Sequence, residues 1–199
     1  MVRVLSFDVG IKNLAFCTLD FDASVPLVDG ADFPDSMRDC AVVAADGWKV
    51  VTVTDKKRPA MSDVSDGVFA RLDEIEGGMP DVVLIENQPC IRNPVMKTVQ
   101  VMIYSYYVCK ARELAKANAN VTTQVHFVNA TLKLTGLCPS RGTLYKDRKR
   151  AAVQAAAAYM GHEKMTAKKR DDLADCLLQG LQWLRREYLA PAPAPRVRR

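Results

Sequence analysis

The sequence predicts an α/β fold, a five-stranded mixed sheet flanked by helices, and three observations lead there. Residues 2–9, 14–21 and 48–54 form successive short apolar runs of strand length with no helical segment between them. Two later runs, at 81–86 and 123–128, alternate with segments of helical length and pattern. Asp8 and Glu86 stand at the carboxyl ends of the first and fourth runs.

Each element has its own signal. Residues 2–9 (VRVLSFDV) read as a buried strand, residues 10–13 turn the chain, and 14–21 (LAFCTLDF) return it as a hairpin. Residues 22–47 carry Pro26, Gly30, Pro34 and several acids without periodicity and are assigned to a long loop or insertion. Residues 48–54 (WKVVTVT) supply a third strand. A helix is expected over 62–75, stopped by Gly77, Gly78 and Pro80, and a strand over 81–86 (DVVLIE). Asn93-Pro94 opens a long helix to about Lys116. Val95, Val99, Met102, Tyr106 and Cys109 form one apolar stripe on it, with Val101, Tyr104 and Val108 off the stripe. Such a helix is expected to be buried on two sides, against its own sheet and against a second subunit, or else fully inside a monomer. A strand at 123–128, a short helix near 130–134 and helices at 144–160 and 171–188 complete one domain over 1–189, and the APAPAPRVRR of 190–199 reads as a disordered basic tail. This order of elements resembles the RNase H fold.

Bulk properties narrow the class. With 199 residues and 49% apolar content the chain is long enough for one core and short for two. The net charge of +5 is modest, but cations cluster at 146–150 (KDRKR), at 168–170 (KKR) and in the tail, which points to a polyanionic partner. Six scattered cysteines without CxxC pairs and only two histidines exclude a zinc-finger pattern and fit reduced, mostly buried thiols. No run reaches the roughly 18 to 20 apolar residues of a membrane span, and no secretory or transit leader is apparent, so an intracellular, soluble protein is expected.

Four acids are the candidate machinery. Asp8 ends a strand before a Gly turn, where capping that turn is the ordinary alternative. Glu86 follows VVLI, and a charge at the rim of a core strand needs a cation or donor to meet it. In DDLAD, Asp172 and Asp175 share a helical face three residues apart, while Asp171 and Asp175 form a competing pair that spacing cannot reject. Capping explains acids in a first turn, but it leaves Lys168, Lys169 and Arg170 electrostatically misplaced unless a negative ligand approaches. Oxygen ligands from the two strand-end acids, Asp8 and Glu86, and from two acids on the one helix suit two Mg²⁺ ions about 4 Å apart, which serve in-line displacement at a phosphodiester. His126, inside a strand, reads as a satisfied core imidazole. No GxSxG, Walker A loop or GxGxxG offers a rival chemistry, and no nucleotide cofactor is expected.

The blocks FDVGIKNLAF, IENQPCIRNPVMKTVQVMIYSYYV and KKRDDLADCLLQGL together resemble the RuvC-like Holliday junction resolvases of poxviruses, other large DNA viruses and yeast mitochondria. They cover about a quarter of the chain. The first block alone is weak, because actin-like ATPases share its Asp-x-Gly hairpin, but the middle block is specific. The resemblance implies an RNase H-like (RuvC-like) nuclease in which Asp8, Glu86, Asp172 and Asp175 are catalytic metal ligands for Mg²⁺, replaceable by Mn²⁺, with Asp171 a neighbour. It implies a homodimer that nicks symmetric strands of four-way or branched DNA, with no membrane partner. Lys12, Asn13, Gln88, Arg92, Asn93 and Lys97 lie beside the strand ends as candidate DNA contacts, each with capping or surface duty as the alternative. Lys146, Lys149, Lys168 and Lys169 cluster around the acidic helix as candidate backbone contacts. The absence of a transit peptide favours a viral protein in the cytoplasm or nucleus of an infected cell. Three other functions compete: a nuclease for other branched DNA or RNA–DNA hybrids, a non-cutting junction-binding protein, and an actin-like phosphotransferase, which needs a second domain.

Overall fold

The computed structural model describes residues 1–28, 31–89, 93–117, 122–137, 144–165 and 169–189. Its strands are β1 (Val2–Asp8), β2 (Leu14–Phe21), β3 (Ala41–Val51), β4 (Val82–Glu86) and β5 (Gln124–Val128). They form one five-stranded sheet in the order β3-β2-β1-β4-β5. The β1–β2 and β2–β3 pairs are antiparallel, and β1–β4 and β4–β5 are parallel. The helices are α1 (Met61–Asp73), α2 (Pro94–Ala117), α3 (Tyr145–Met160) and α4 (Arg170–Leu184). The expected mixed sheet is therefore present.

Strand periodicity assigns the two faces. Leu5, Phe7, Leu14, Phe16, Val83 and Ile85 pack with α1 and α2, whereas Val4, Cys17, Leu19, Phe21, Val82 and Leu84 pack with α3 and α4. Two steps on from Val4 and Ser6, Asp8 points to the α4 face, as does Glu86 after Val82 and Leu84. Phe7 pairs with Ile85, so the two acids come next in register on adjacent parallel strands.

Helix α4 is buried at every residue from Leu173 to Leu184 except Asp175. Gly180 lets it lie close on the sheet, since a Cβ there would meet Leu19 Cδ1 at 2.6 Å and Ser6 Cβ at 3.4 Å.

Several expectations are corrected. Strand β3 begins at Ala41, seven residues before the expected start, and ends at Val51. It is an edge strand with few buried side chains, and its register shifts opposite Thr18, so no clean alternation marks it. The segment before it is not a free loop. Phe33, Met37 and Cys40 join the α3/α4 core, and Arg38 donates to the carbonyls of Ala158 (2.6 Å) and Tyr159 (3.1 Å) at the end of α3. On α2 the buried residues are Val99, Gln100, Ile103 and Tyr107, a face rotated from the expected stripe, and Cys109 is exposed. Cys17, Cys40 and Cys176 are buried free thiols, while Cys90 and Cys138 lie outside the described residues. His126 is half-buried on edge strand β5, bonded to Gln124 at 3.1 Å and beside the Trp183 ring, and is not a core imidazole. The tail at 190–199 lies outside the described residues. No described helix is long and apolar enough to cross a membrane.

Candidate active site

Asp8 and Glu86 arrive on the ends of β1 and β4, and Asp172 and Asp175 on the first turns of α4. All four line one cavity of about 340 Å³, together with Gln88, Thr131, Lys133, Tyr145, Arg148 and Lys149. The turn after β1 is held tight by Gly10, where any Cβ would collide with the Asn13 carbonyl. Behind Glu86, the backbone N–H of Gln88 donates to Gln100 Oε1 at 2.8 Å, which ties the loop after β4 to α2.

One residue in the cavity has no counterpart in the sequence-based list. Lys133, on the short 3₁₀ turn Leu132–Leu134, is 8% exposed, and its Nζ lies 2.9 Å from Glu86 Oε2 and 2.6 Å from Asp175 Oδ2. The only local hint was a lysine between two leucines in an apolar turn, a pattern shared by many surface lysines. Its significance depends on the long-range packing of that turn against α4.

The electrostatics follow from crowding. Burial pushes the Asp8 carboxyl well above the usual carboxylate range, Lys133 opposes this, and Glu86 and Asp175 reinforce it. Asp175 is raised by burial against the pull of Lys133, and Asp172 is raised by burial and by Asp171. Burial disfavours the Lys133 ammonium, but Asp175, Asp8 and Glu86 outweigh it and raise its pKa. Asp172 Oδ2 is buried without a hydrogen-bond partner. Among the described residues no three His, Cys, Asp or Glu side chains stand as a ready metal cage. Instead an ammonium fills the space between the carboxylates. The donor set nevertheless fits a hard divalent cation: it is all oxygen, it holds one orphaned buried oxygen, and it already gathers around a positive charge.

Asp171 takes a separate position. It bonds Lys149 Nζ at 2.6 Å and does not line the carboxylate cavity. Lys149 holds the Asp171 carboxyl below the usual range despite partial burial. Of the candidate DNA contacts, Gln88 and Lys149 line the cavity. Lys12 is exposed on the turn after β1, and Lys146 is exposed on α3. Lys169, the residue before α4, has a left-handed backbone (φ 74°). Its Nζ lies 3.2 Å from the Asn13 amide when that amide's oxygen faces it. Asn93 accepts the N–H of Met96 at 3.2 Å and so caps α2. Lys97 bonds Asn87 at 2.9 Å and Gln100 at 3.2 Å, bracing the loop outside the cavity. Arg92 and Lys168 lie outside the described residues.

Comparison with curated protein sequences gives no match. Among solved structures, the yeast mitochondrial Holliday junction resolvase is similar over 92% of this chain and 79% of its own, with a TM-score of 0.61 at 18% identity. The fowlpox virus Holliday junction resolvase aligns over 93% of this chain and 99% of its own, at TM-score 0.56 and 20% identity. Thermus thermophilus RuvC aligns over 91% and 92%, at TM-score 0.57 and 16% identity. At these identities the likeness establishes the RuvC-like fold. The family model described as Poxvirus A22 protein matches residues 1–187, and the chain therefore belongs to the poxvirus A22 protein family.

Proposed function

We propose that this chain is a structure-selective endonuclease that resolves four-way DNA junctions by paired symmetric nicks. Asp8, Glu86, Asp172 and Asp175 would hold two Mg²⁺ ions in each site, with Mn²⁺ able to replace them. The observation that carries the reading is the meeting of these four acids, from three separate elements, in a single cavity rimmed by Arg148 and Lys149. Membership of the A22 family supports it, as do the structures of fowlpox resolvase and Thermus RuvC with junction DNA.

When bound, the ions supply an activated water and stabilise the leaving 3′ oxygen. The rest falls to the chain. Lys149 and Arg148, on one side of the cavity, attract the phosphodiester backbone, and Lys12, Asn13, Lys146 and Lys169 extend that attraction along the rim. Lys133 neutralises the acids and keeps them together against their mutual repulsion.

Paired nicks need two sites, and an exposed apolar face offers the contact for a homodimer. Val101 (47% exposed), Tyr104 (36%) and Phe127 (45%) stand together across α2 and β5, with the two rings 5.1 Å apart. Residues 1–189 act as one nuclease domain. The poxvirus family supports a viral protein at work in the infected cell, in cytoplasm or nucleus.

The test is cleavage of a synthetic four-way junction in Mg²⁺, mapped on all four strands. Two symmetric nicks with linear duplex intact are expected. Equal cutting of duplex or RNA–DNA hybrid would replace the reading with a less selective nuclease, and binding without cutting with a junction-binding protein.

A further inference from the structure

Helix α4 carries a polar stripe inside an otherwise apolar run. Asp172, Asp175, Gln179 and Gln182 follow one another at spacings of three, four and three, which places them on one face. The two glutamines are 1% and 4% exposed. A buried amide without partners is costly, so each needs a reason to be there. Gln179 Nε2 donates to Ser6 Oγ at 3.0 Å and to the Phe7 carbonyl at 3.1 Å. Gln182 Nε2 donates to the Thr135 carbonyl, directly after the turn that bears Lys133.

Gln179 lies one helical turn below Asp175, and Phe7 immediately precedes Asp8. The amide therefore joins the two elements that bring Asp8 and Asp175 together, at the level just beneath the carboxylates. Apolar contact could hold α4 against the sheet with some freedom to slide, because it is non-directional. Two hydrogen bonds to the last residues of β1 remove that freedom. The close approach at Gly180, beside Ser6 Cβ, makes the same region tight.

We infer that Gln179 is a positioning residue of the cleavage site, setting the distance between Asp8 and the acids of α4 through its bonds to Ser6 and Phe7. This role rests on the nuclease reading. Loss of the amide lets β1 and α4 shift relative to each other and weakens divalent-ion binding, while DNA binding through the cationic rim is untouched.

The test compares the full chain with its Gln179→Met variant, which keeps side-chain volume and removes the donor. Mn²⁺ affinity is measured by electron paramagnetic resonance without DNA, junction affinity in EDTA, and cutting as a function of Mn²⁺ concentration. Gln179→Met should bind Mn²⁺ about 10- to 100-fold more weakly, the range for groups that orient metal ligands, with junction affinity unchanged and cutting partly restored at high Mn²⁺. Val68→Ala, in the core on the opposite face of the sheet, should lower the melting temperature and leave Mn²⁺ affinity at the parent value. If Gln179→Met does not fold, Ser6→Ala removes one of the two acceptors and should shift Mn²⁺ affinity the same way by less. Unchanged Mn²⁺ affinity in the Gln179 and Ser6 variants overturns the role, as does an equal loss in Val68→Ala. A parent protein that neither binds Mn²⁺ nor cuts junctions overturns the nuclease reading itself and this role with it.

Discussion

The Lys133 ammonium lies 2.6 Å from the Asp175 carboxylate, inside a cluster of acids that no other buried cation neutralises among the described residues. Its bridge to Glu86 at 2.9 Å makes it the internal counter-ion of the site. With side-chain exposures of 10% for Lys133 and 13% and 17% for its partners, solvent screens these pairs little. Lys133→Met would leave the acids uncompensated and should destabilise the metal-free protein by about 3–5 kcal/mol. Added Mg²⁺ should close most of the gap in melting temperature between variant and parent. A deficit unchanged by Mg²⁺ would mean that the lysine and the ion do not act on the same carboxylates.

Glu86→Gln and Asp172→Asn remove charge without changing shape. Junction affinity in EDTA should stay near the parent value or tighten slightly, because negative charge near the phosphates is lost. Cutting in Mg²⁺ should fall by at least about 100-fold, the order for removing a group that stabilises transition-state charge. Single-turnover cleavage and gel-shift titration on the same junction separate the two effects.

Lys149 is held by Asp171 at 2.6 Å yet reaches the cavity. Lys149→Ala should reduce the slope of log affinity against log salt by about one unit, with affinity lost most at low salt. An unchanged slope would show that its charge is spent on Asp171 and never meets a phosphate.

The ring pair Tyr104–Phe127 should be an interface element. Tyr104→Lys places a charge in the centre of the exposed apolar face and should shift sedimentation from dimer to monomer, while Leu114→Lys, at another exposed apolar position on α2, should not. Equal dimerisation of parent and Tyr104→Lys would move the contact elsewhere.

Asp73, at the end of α1, accepts from Tyr106 at 2.6 Å and lies 3.4 Å from Lys110 Nζ, both on α2. The Tyr106 hydroxyl, helped by Lys110, holds the Asp73 carboxyl below the ordinary value of about 3.9. Its folded pKa is thus below its unfolded pKa, so its contribution is complete above the unfolded value and disappears as pH falls through the folded one. Asp73→Asn should melt below the parent at neutral pH, with the difference closing in acid. A difference independent of pH would assign the effect to packing.

Local pattern was sufficient for much of the molecule. The short apolar runs locate β1, β2 and β4, because buried strands must be apolar, and the acids at the ends of β1 and β4 stand out at their rim. Helix α2 is legible from its Asn-Pro start. The edge strand β3 is harder to see, since only two of its eleven residues are buried and its bulge opposite Thr18 breaks the alternation. The buried face of α2 is not legible for a similar reason: the helix is apolar on several sides, and only docking on the sheet selects Val99, Ile103 and Tyr107.

For the site, residue type and spacing point to Asp8, Glu86 and Asp175 but leave Asp171 and Asp172 undecided. Rotation of α4 about its axis separates them, turning Asp172 to the cavity and Asp171 to Lys149. Lys133 and Gln179 were invisible for a deeper reason. An acid at the end of a core strand is already costly in its own segment, so local sequence betrays it, whereas a lysine or glutamine has meaning only through partners some 42 to 173 positions away, and only the folded chain brings those together.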